Sequence, residues 1–227
     1  MTAQNKVWLV TGASGGLGLA TVQALLAAGY PVAATTRDAV GAIEELSDAE
    51  IRANFDVNVF GMMNVIRAAM PVFRAQESGY FLNIASISGS STAPGQAIYS
   101  ASKAAVILLT EAVHAEGRDF NVRATAVCPG GLRPQFLGGS ARFPKTPIVA
   151  YRSVREYEQA YRQLNQNQSG DPVKAARALM SLAESADPPG RIYLGMDSFA
   201  AIGRKLQAVA DEAQAWRALS LSTHYED

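Results

Sequence analysis

The apolar run Val7-Trp8-Leu9-Val10 leads directly into Thr11-Gly12-Ala13-Ser14-Gly15-Gly16-Leu17-Gly18. Behind it, Leu17, Ala20, Thr21, Leu25 and Ala28 recur at helical spacing until Gly29. A short, wholly apolar run reads as a strand buried on both faces. Passing from such a strand into a helix through closely spaced glycines requires a tight βα turn. That turn sets bare backbone against the free N–H groups and positive dipole end of the helix, which together form a cradle for phosphate. A tight turn that holds no ligand would use the same glycines.

The alternation continues along the chain. Pro31 to Thr36 reads as a second strand, and Ser47 with Glu50 makes a capping box. A long apolar helix follows through Ile51, Phe55, Val59, Met62, Met63, Ile66 and Met70. Tyr80 to Ala85 is the next strand, Ile98 to Glu116 a helix, and Val122 to Cys128 a strand. Residues 130–170 are richer in Gly, Pro and aromatics, with a helix near Ser153 to Leu164. Asp171-Pro172 is an N-cap with proline in the first helical position, opening a helix to about Ser185. Arg191 to Leu194 is a last strand, and Asp197 to Leu219 a last helix. This order predicts a doubly wound α/β parallel sheet, a Rossmann fold, as one domain over residues 1–227. Such sheets bind ligands outside the carboxyl ends of their strands.

Composition removes several function classes. Twenty Lys and Arg balance twenty Asp and Glu, so no basic field is available for nucleic acid or an acidic membrane. Cys128 is the one cysteine, so the chain forms no internal disulfide, in keeping with a reducing compartment. Met1 to Lys6 lack an apolar signal core, and no run approaches the ~20 apolar residues of a membrane span. A cytoplasmic protein is the expectation. His114 and His224 lie far apart, so no metal site is expected, and both read as solvated or capping. Cys128 reads as a packed thiol.

Tyr99 and Lys103 are four apart and share a helix face. A free phenol, with a pKa of ~10, is a poor proton donor or acceptor at neutral pH. A neighbouring ammonium favours the phenolate, so the pair could exchange a proton with a carbonyl or alcohol oxygen. Ser86 ends the preceding strand, where its hydroxyl could hold the same oxygen. A surface Tyr–Lys pair beside a capping serine is the ordinary alternative. Arg37 follows the second strand, where the ribose of a dinucleotide would lie. Arginine there favours a 2′-phosphate, and hence NADP over NAD. A solvated loop charge would look the same.

Taken together, these residues resemble the short-chain dehydrogenase/reductase family, over nearly the whole chain. T-G-x-x-x-G-x-G stands at Thr11 to Gly18, and Asn58 in Asp56-Val57-Asn58-Val59 resembles the family's helix asparagine. Asn83-Ile84-Ala85-Ser86 resembles the segment ending in its serine, and Pro129-Gly130 the loop over the nicotinamide. The resemblance implies that Tyr99 is the general acid/base and that Lys103 supports it and binds the nicotinamide ribose. It implies that Ser86 orients the substrate oxygen and that Asn58 holds a water in a proton relay. Gly12, Ser14, Gly15, Gly16, Leu17, Gly18, Arg37, Tyr99, Lys103, Pro129, Gly130 and Leu132 would contact NADP(H). The implied reaction is hydride transfer between a carbonyl and a secondary alcohol. The implied assembly is a homodimer or homotetramer through the helices from Ser47 and from Ile98. The stretch from Leu194 to Thr223 resembles a bacterial branch similar to 17β-hydroxysteroid and retinol dehydrogenases. Residues 131–170 read as a substrate lid whose Phe136, Phe143, Tyr151 and Tyr157 would favour a small apolar substrate, with ordinary packing of these aromatics the equal alternative.

One departure is large. Between Arg37 and Gly41 the family's third and fourth strands, with their helices, are missing, a block of roughly 45–50 residues at ~30 per βαβ unit. Losing a central strand leaves either unpaired edges or a gap of ~10 Å, two strand spacings. Residues 37–47 could span ~35 Å when extended, enough to cross it. The alternative to an active reductase is therefore an impaired relative that dimerises but holds cofactor poorly. A smaller departure is Pro134, where relatives usually have threonine.

Overall fold

The computed structural model describes residues 10, 16–28, 38–39, 41–133, 141–164 and 167–225. In chain order the elements are α1 (Gly16–Ala27), β1 (Asp38–Ala39), α2 (Asp48–Phe55), a π-helical turn (Asp56–Phe60), α3 (Gly61–Ala75), β2 (Gly79–Ile84), α4 (Ala97–Gly117) and β3 (Val122–Pro129). There follow β4 (Ala141–Arg142), α5 (Arg152–Leu164), α6 (Pro172–Glu184), β5 (Arg191–Leu194), α7 (Met196–Ala215) and α8 (Arg217–Leu221).

Among the described residues the main sheet has three strands, all parallel, in the order β2-β3-β5. The register sets Tyr80 beside Arg123, Ile84 beside Val127 and Cys128 beside Tyr193. Side chains alternate across it, as the pleat requires. Leu82, Ile84, Val127, Ile192 and Leu194 face one side, packed with Leu17 and Ala20 of α1 and with Ala175, Ala176 and Leu179 of α6. Phe81, Val122, Ala124, Ala126 and Cys128 face the other, packed with Met62 and Ile66 of α3 and with Val106 and Ile107 of α4. With both faces covered, β3 is nearly all buried, which is why its sequence reads as continuous apolar and small residues.

The described elements form the doubly wound α/β architecture that the alternation along the chain implies. The expected strands at Val7–Val10 and Pro31–Thr36 fall outside the described residues, apart from Val10. Local signals match their elements closely. Ser47 Oγ accepts from the Glu50 N–H at 3.3 Å and Glu50 Oε2 accepts from the Ser47 N–H at 3.0 Å. The Asp171 carboxylate accepts from the Val173 and Lys174 N–H groups at the start of α6.

The segment that follows the shortened region is fastened by a buried charge. The Glu45 side chain is fully buried and faces Arg155 Nη2 of α5 at 2.6 Å. It also accepts from the Ala42 N–H at 2.7 Å and the Ile148 N–H at 2.7 Å. Gly41 donates to Gly95 O at 2.8 Å and lies so close to Pro144 that a Cβ would approach its ring to 2.7 Å. Residues 41–46, Pro144, Ile148, α5 and the turn before α4 therefore form one packed unit. Removing one partner of a buried pair strands the other and two N–H groups. Glu45→Ala should lower unfolding free energy by about 2–4 kcal/mol, measured by urea denaturation, with Glu45→Gln losing less.

Candidate active site

The carboxyl edge of β2 and the start of α4 bring the predicted polar residues together. Tyr99 and Lys103 lie one turn apart on α4, each half-buried. Lys103 Nζ donates to Ile84 O, the last carbonyl of β2, at 3.0 Å, and lies 5.8 Å from the Tyr99 ring centroid. The ammonium is thus anchored to strand backbone, beside the phenol and not on it.

Ser86 leaves the strand in extended conformation and is buried. Its Oγ accepts from the Ser88 N–H at 3.1 Å, which caps the 3-10 turn Ile87–Gly89. That turn lies flush on α4. A Cβ on Gly89 would stand 2.7 Å from the Lys103 carbonyl carbon and 2.8 Å from its oxygen. Glycine at position 89 therefore fixes the distance between the serine turn and the Tyr–Lys helix.

Asn58 sits in the π-helical turn Asp56–Phe60 between α2 and α3. Its Nδ2 donates to Ser102 Oγ at 3.2 Å and Asn54 Oδ1 at 3.3 Å, while Ser102 Oγ donates to Tyr99 O at 2.8 Å. A π turn widens the helix locally and is frequent at functional sites; here it holds Asn58 against α4. Asn54, which the sequence reading did not single out, is buried, and its Nδ2 has no partner among the described residues. Its spacing of four from Asn58 was the available signal.

The loop after β3 completes the edge. The Gly130 N–H donates to Leu194 O at 2.9 Å, and Leu132 bridges to Gly170. Asp197, in the first turn of α7, accepts the Gly131 N–H at 2.7 Å, and a Cβ on Gly130 would fall 2.1 Å from its carboxylate. Ser198 Oγ donates to Cys128 O at 2.8 Å. Asp197 and Ser198 thus brace the Pro129–Leu132 loop, a role that no local motif announces. Leu17 packs with Ile84, Leu132 and Leu194, so the first turn of α1 lies at this same edge. That turn carries no acidic residue. Gly12, Ser14, Gly15 and Arg37 lie outside the described residues, as do Pro134 and Phe136. Gly16, Leu17 and Gly18 open α1.

Beside α5 the Arg162 guanidinium lies 3.8 Å from the Phe143 ring centroid, and Phe143 and Tyr161 meet edge to face at 6.2 Å. His114, read as solvated or capping, instead donates from Nδ1 to Ala124 O at 2.7 Å and ties α4 to β3. Burial in the core pushes the Cys128 thiol up to about 11. A concavity of about 460 Å³ beside α2, lined by Asp48, Ile51, Arg52, Phe55, Asp56 and Phe60, contains none of the Ser86, Tyr99 and Lys103 set.

Comparison with known proteins shows the family. The profile of the family described as short chain dehydrogenase matches residues 34–142, a range that holds Asn58, Ser86, Tyr99, Lys103 and Pro129 to Leu132. A short-chain dehydrogenase structure from Streptomyces avermitilis is 30% identical, covers 97% of this chain and 99% of its own, and superposes with a TM-score of 0.87. The chain belongs to the short-chain dehydrogenase family. It is an oxidoreductase of that family. It is also similar to the oxidoreductase BOA17 of Botryotinia fuckeliana, at 24% identity over 271 positions, covering 96% of this chain and 99% of the relative. That alignment is longer than the 227-residue chain, so part of the relative has no counterpart here. A short chain dehydrogenase from Burkholderia cenocepacia J2315 in complex with NADP shares the fold, at 23% identity and a TM-score of 0.66, covering 96% of this chain and 98% of its own.

Gly89→Ala should push the Ser86 turn off α4, costing about 1–3 kcal/mol of stability and most of the turnover; thermal unfolding and initial rates measure both. Cys128 should resist thiol reagents at pH 8 until the protein is unfolded, as read by Ellman titration. Its folded-state value lies above the ordinary 9.0, so the native state holds the proton more tightly. Its contribution to stability is therefore present below about pH 9 and falls as pH rises toward about 11.

Proposed function

We propose that this short-chain dehydrogenase interconverts a carbonyl and a secondary alcohol with NADP(H). The observation that carries the reading is Lys103 anchored on Ile84 O beside Tyr99, with the Ser86 turn seated on the Lys103 backbone. The edge suits a dinucleotide. Backbone at Gly130 and Gly131, the acid-free first turn of α1 and the Lys103 ammonium converge there, and nothing in that turn repels a pyrophosphate.

A dinucleotide held at this edge by Lys103 and the backbone of the Pro129–Leu132 loop would supply the hydride to the carbonyl carbon in the reducing direction. Ser86 Oγ donates a hydrogen bond to the carbonyl oxygen and fixes its position. Tyr99 Oη gives that oxygen a proton as negative charge develops on it. The Lys103 ammonium stabilises the phenolate left behind, and its own position is set by Ile84 O. The Asn54–Asn58–Ser102 chain lies behind Tyr99. Asn58, held there by Asn54 and Ser102, would hold a water that returns a proton toward Lys103.

The 2′-phosphate preference rests on Arg37, and a small apolar substrate on Phe143, Tyr157 and Tyr161. Homo-oligomerisation through the α2–α3 and α4 helices is supported by the exposed Phe60, Val72 and Leu108. A cytoplasmic location accords with the neutral charge; among the described residues no helix is long and apolar enough to cross a membrane.

Tyr99→Phe should cut kcat by at least ~10²–10⁴-fold while NADPH still binds, as followed by nicotinamide fluorescence. Arg37→Ala should weaken NADPH and leave NADH little changed. Turnover retained in Tyr99→Phe sinks the assigned role. Failure of the wild-type chain to bind either dinucleotide restores the impaired-relative reading.

A further inference from the structure

α7 has two unlike halves. Its base is built into the body: Ser198 and Ile202 are buried, and Ser198 and Asp197 hold the loop after β3. From Gly203 onward no described residue of the body covers it. Every residue from Gly203 to Tyr225 is exposed, yet the chain remains helical to Ala215 and again from Arg217 to Leu221. The free part of α7 projects ~20 Å at 1.5 Å per residue. Isolated helices shorter than ~12–15 residues are marginal in water, so such a projection calls for a packing partner.

The sequence of α7 describes that partner. Phe199, Ile202, Leu206, Val209, Ala213 and Trp216 recur at alternating spacings of three and four, an unbroken heptad stripe. Ile202 anchors the stripe in the body, and the residues on either side of it are open, with Phe199 at 72% and Trp216 at 65% exposed. Lys205 and Glu212 flank the stripe on one side, seven residues apart, and among the described residues neither makes an ion pair within the chain. Gly203 and Ala210 flank it on the other side, where small residues allow close approach.

We propose that the distal half of α7 is a docking surface for a second copy of this chain, packed antiparallel about a two-fold axis between Ala208 and Val209. That arrangement places Lys205 of each copy against Glu212 of the other, twice by symmetry. It brings Trp216 of one copy onto the exposed base around Phe199 of the other, and packs Leu206 and Val209 across the axis. A parallel pair would instead set Lys205 opposite Ala210 and crowd the two bodies at one end. A membrane surface fits less well, because Arg204, Lys205 and Arg217 are nearly balanced by Asp211 and Glu212. The surface is distinct from the α2–α3 and α4 helices, and it does not depend on the proposed reaction.

The test is sedimentation equilibrium of the full chain at low salt. Lys205→Glu and Glu212→Lys should each weaken one association step by about tenfold, and the double variant K205E/E212K should restore it. Leu206→Asp, at an exposed position, should halve the mass of the assembly with its circular dichroism unchanged. The proposal falls if Leu206→Asp leaves the mass as in wild type, or if the charge swap fails to rescue the single variants. It also falls if Leu206→Asp abolishes flotation with phosphatidylcholine–phosphatidylglycerol vesicles without changing the mass, since the surface would then be a membrane contact.

Discussion

The contact on which the candidate site depends is the hydrogen bond from Lys103 Nζ to Ile84 O. A lysine on a helix normally extends to water, where its ammonium is best solvated. Here the strand ends just beneath α4, and its last carbonyl accepts the charge-assisted bond instead. That one bond fixes the ammonium relative to the sheet edge, and Tyr99, a turn earlier on the same helix, inherits the position. Gly89 then sets Ser86 by allowing its turn to touch the Lys103 backbone. Tyr99 and Lys103 on α4 and Ser86 on the turn seated against that helix are thus held together at one sheet edge.

Among the described residues the main sheet has three parallel strands, and its packing shows why it holds. Its middle strand, β3, is covered by α1 and α6 on one face and by α3 and α4 on the other. Short side chains at Ala124, Ala126 and Cys128 let α3 and α4 approach closely. The segment that follows β1 is held by polar fastening. Buried Glu45 ties residues 41–46 to α5 and to the Ile148 backbone. Such a carboxylate is costly to bury alone, so its value lies in directing the segment to one place among many apolar options.

Much of this was legible in the sequence because the signals were local. The Ser47–Glu50 box, the Asp171–Pro172 cap and the apolar runs at Tyr80, Val122 and Arg191 each state their own structure within a few residues. The Tyr99–Lys103 spacing states a shared face. What stayed hidden depended on distant partners. No feature of Asp56-Val57-Asn58-Val59-Phe60 marks a π turn, since no glycine or proline interrupts it; the widening answers to Ser102 on α4. His114 gave no sign of its bond to Ala124, nor Asp197 of its hold on Gly131, because those contacts close only when the sheet forms. The expected last helix continues past its body and breaks at Trp216, a boundary that its heptad pattern does not signal.

α7 joins these local and distant effects. Its first turn receives the Gly131 N–H on Asp197 and ties Ser198 to Cys128 O, so the helix base helps to shape the loop beside the candidate cofactor edge. Gly195, at φ 101°, allows the sharp entry from β5 that makes this possible, a conformation side chains with a Cβ avoid. The remainder of the helix extends rigidly from that base. A load placed on the distal stripe is therefore carried by an unbroken ladder of backbone hydrogen bonds to the residues that hold the loop. Chain economy and site geometry meet in this one element, whose buried end positions backbone and whose free end presents an apolar seam.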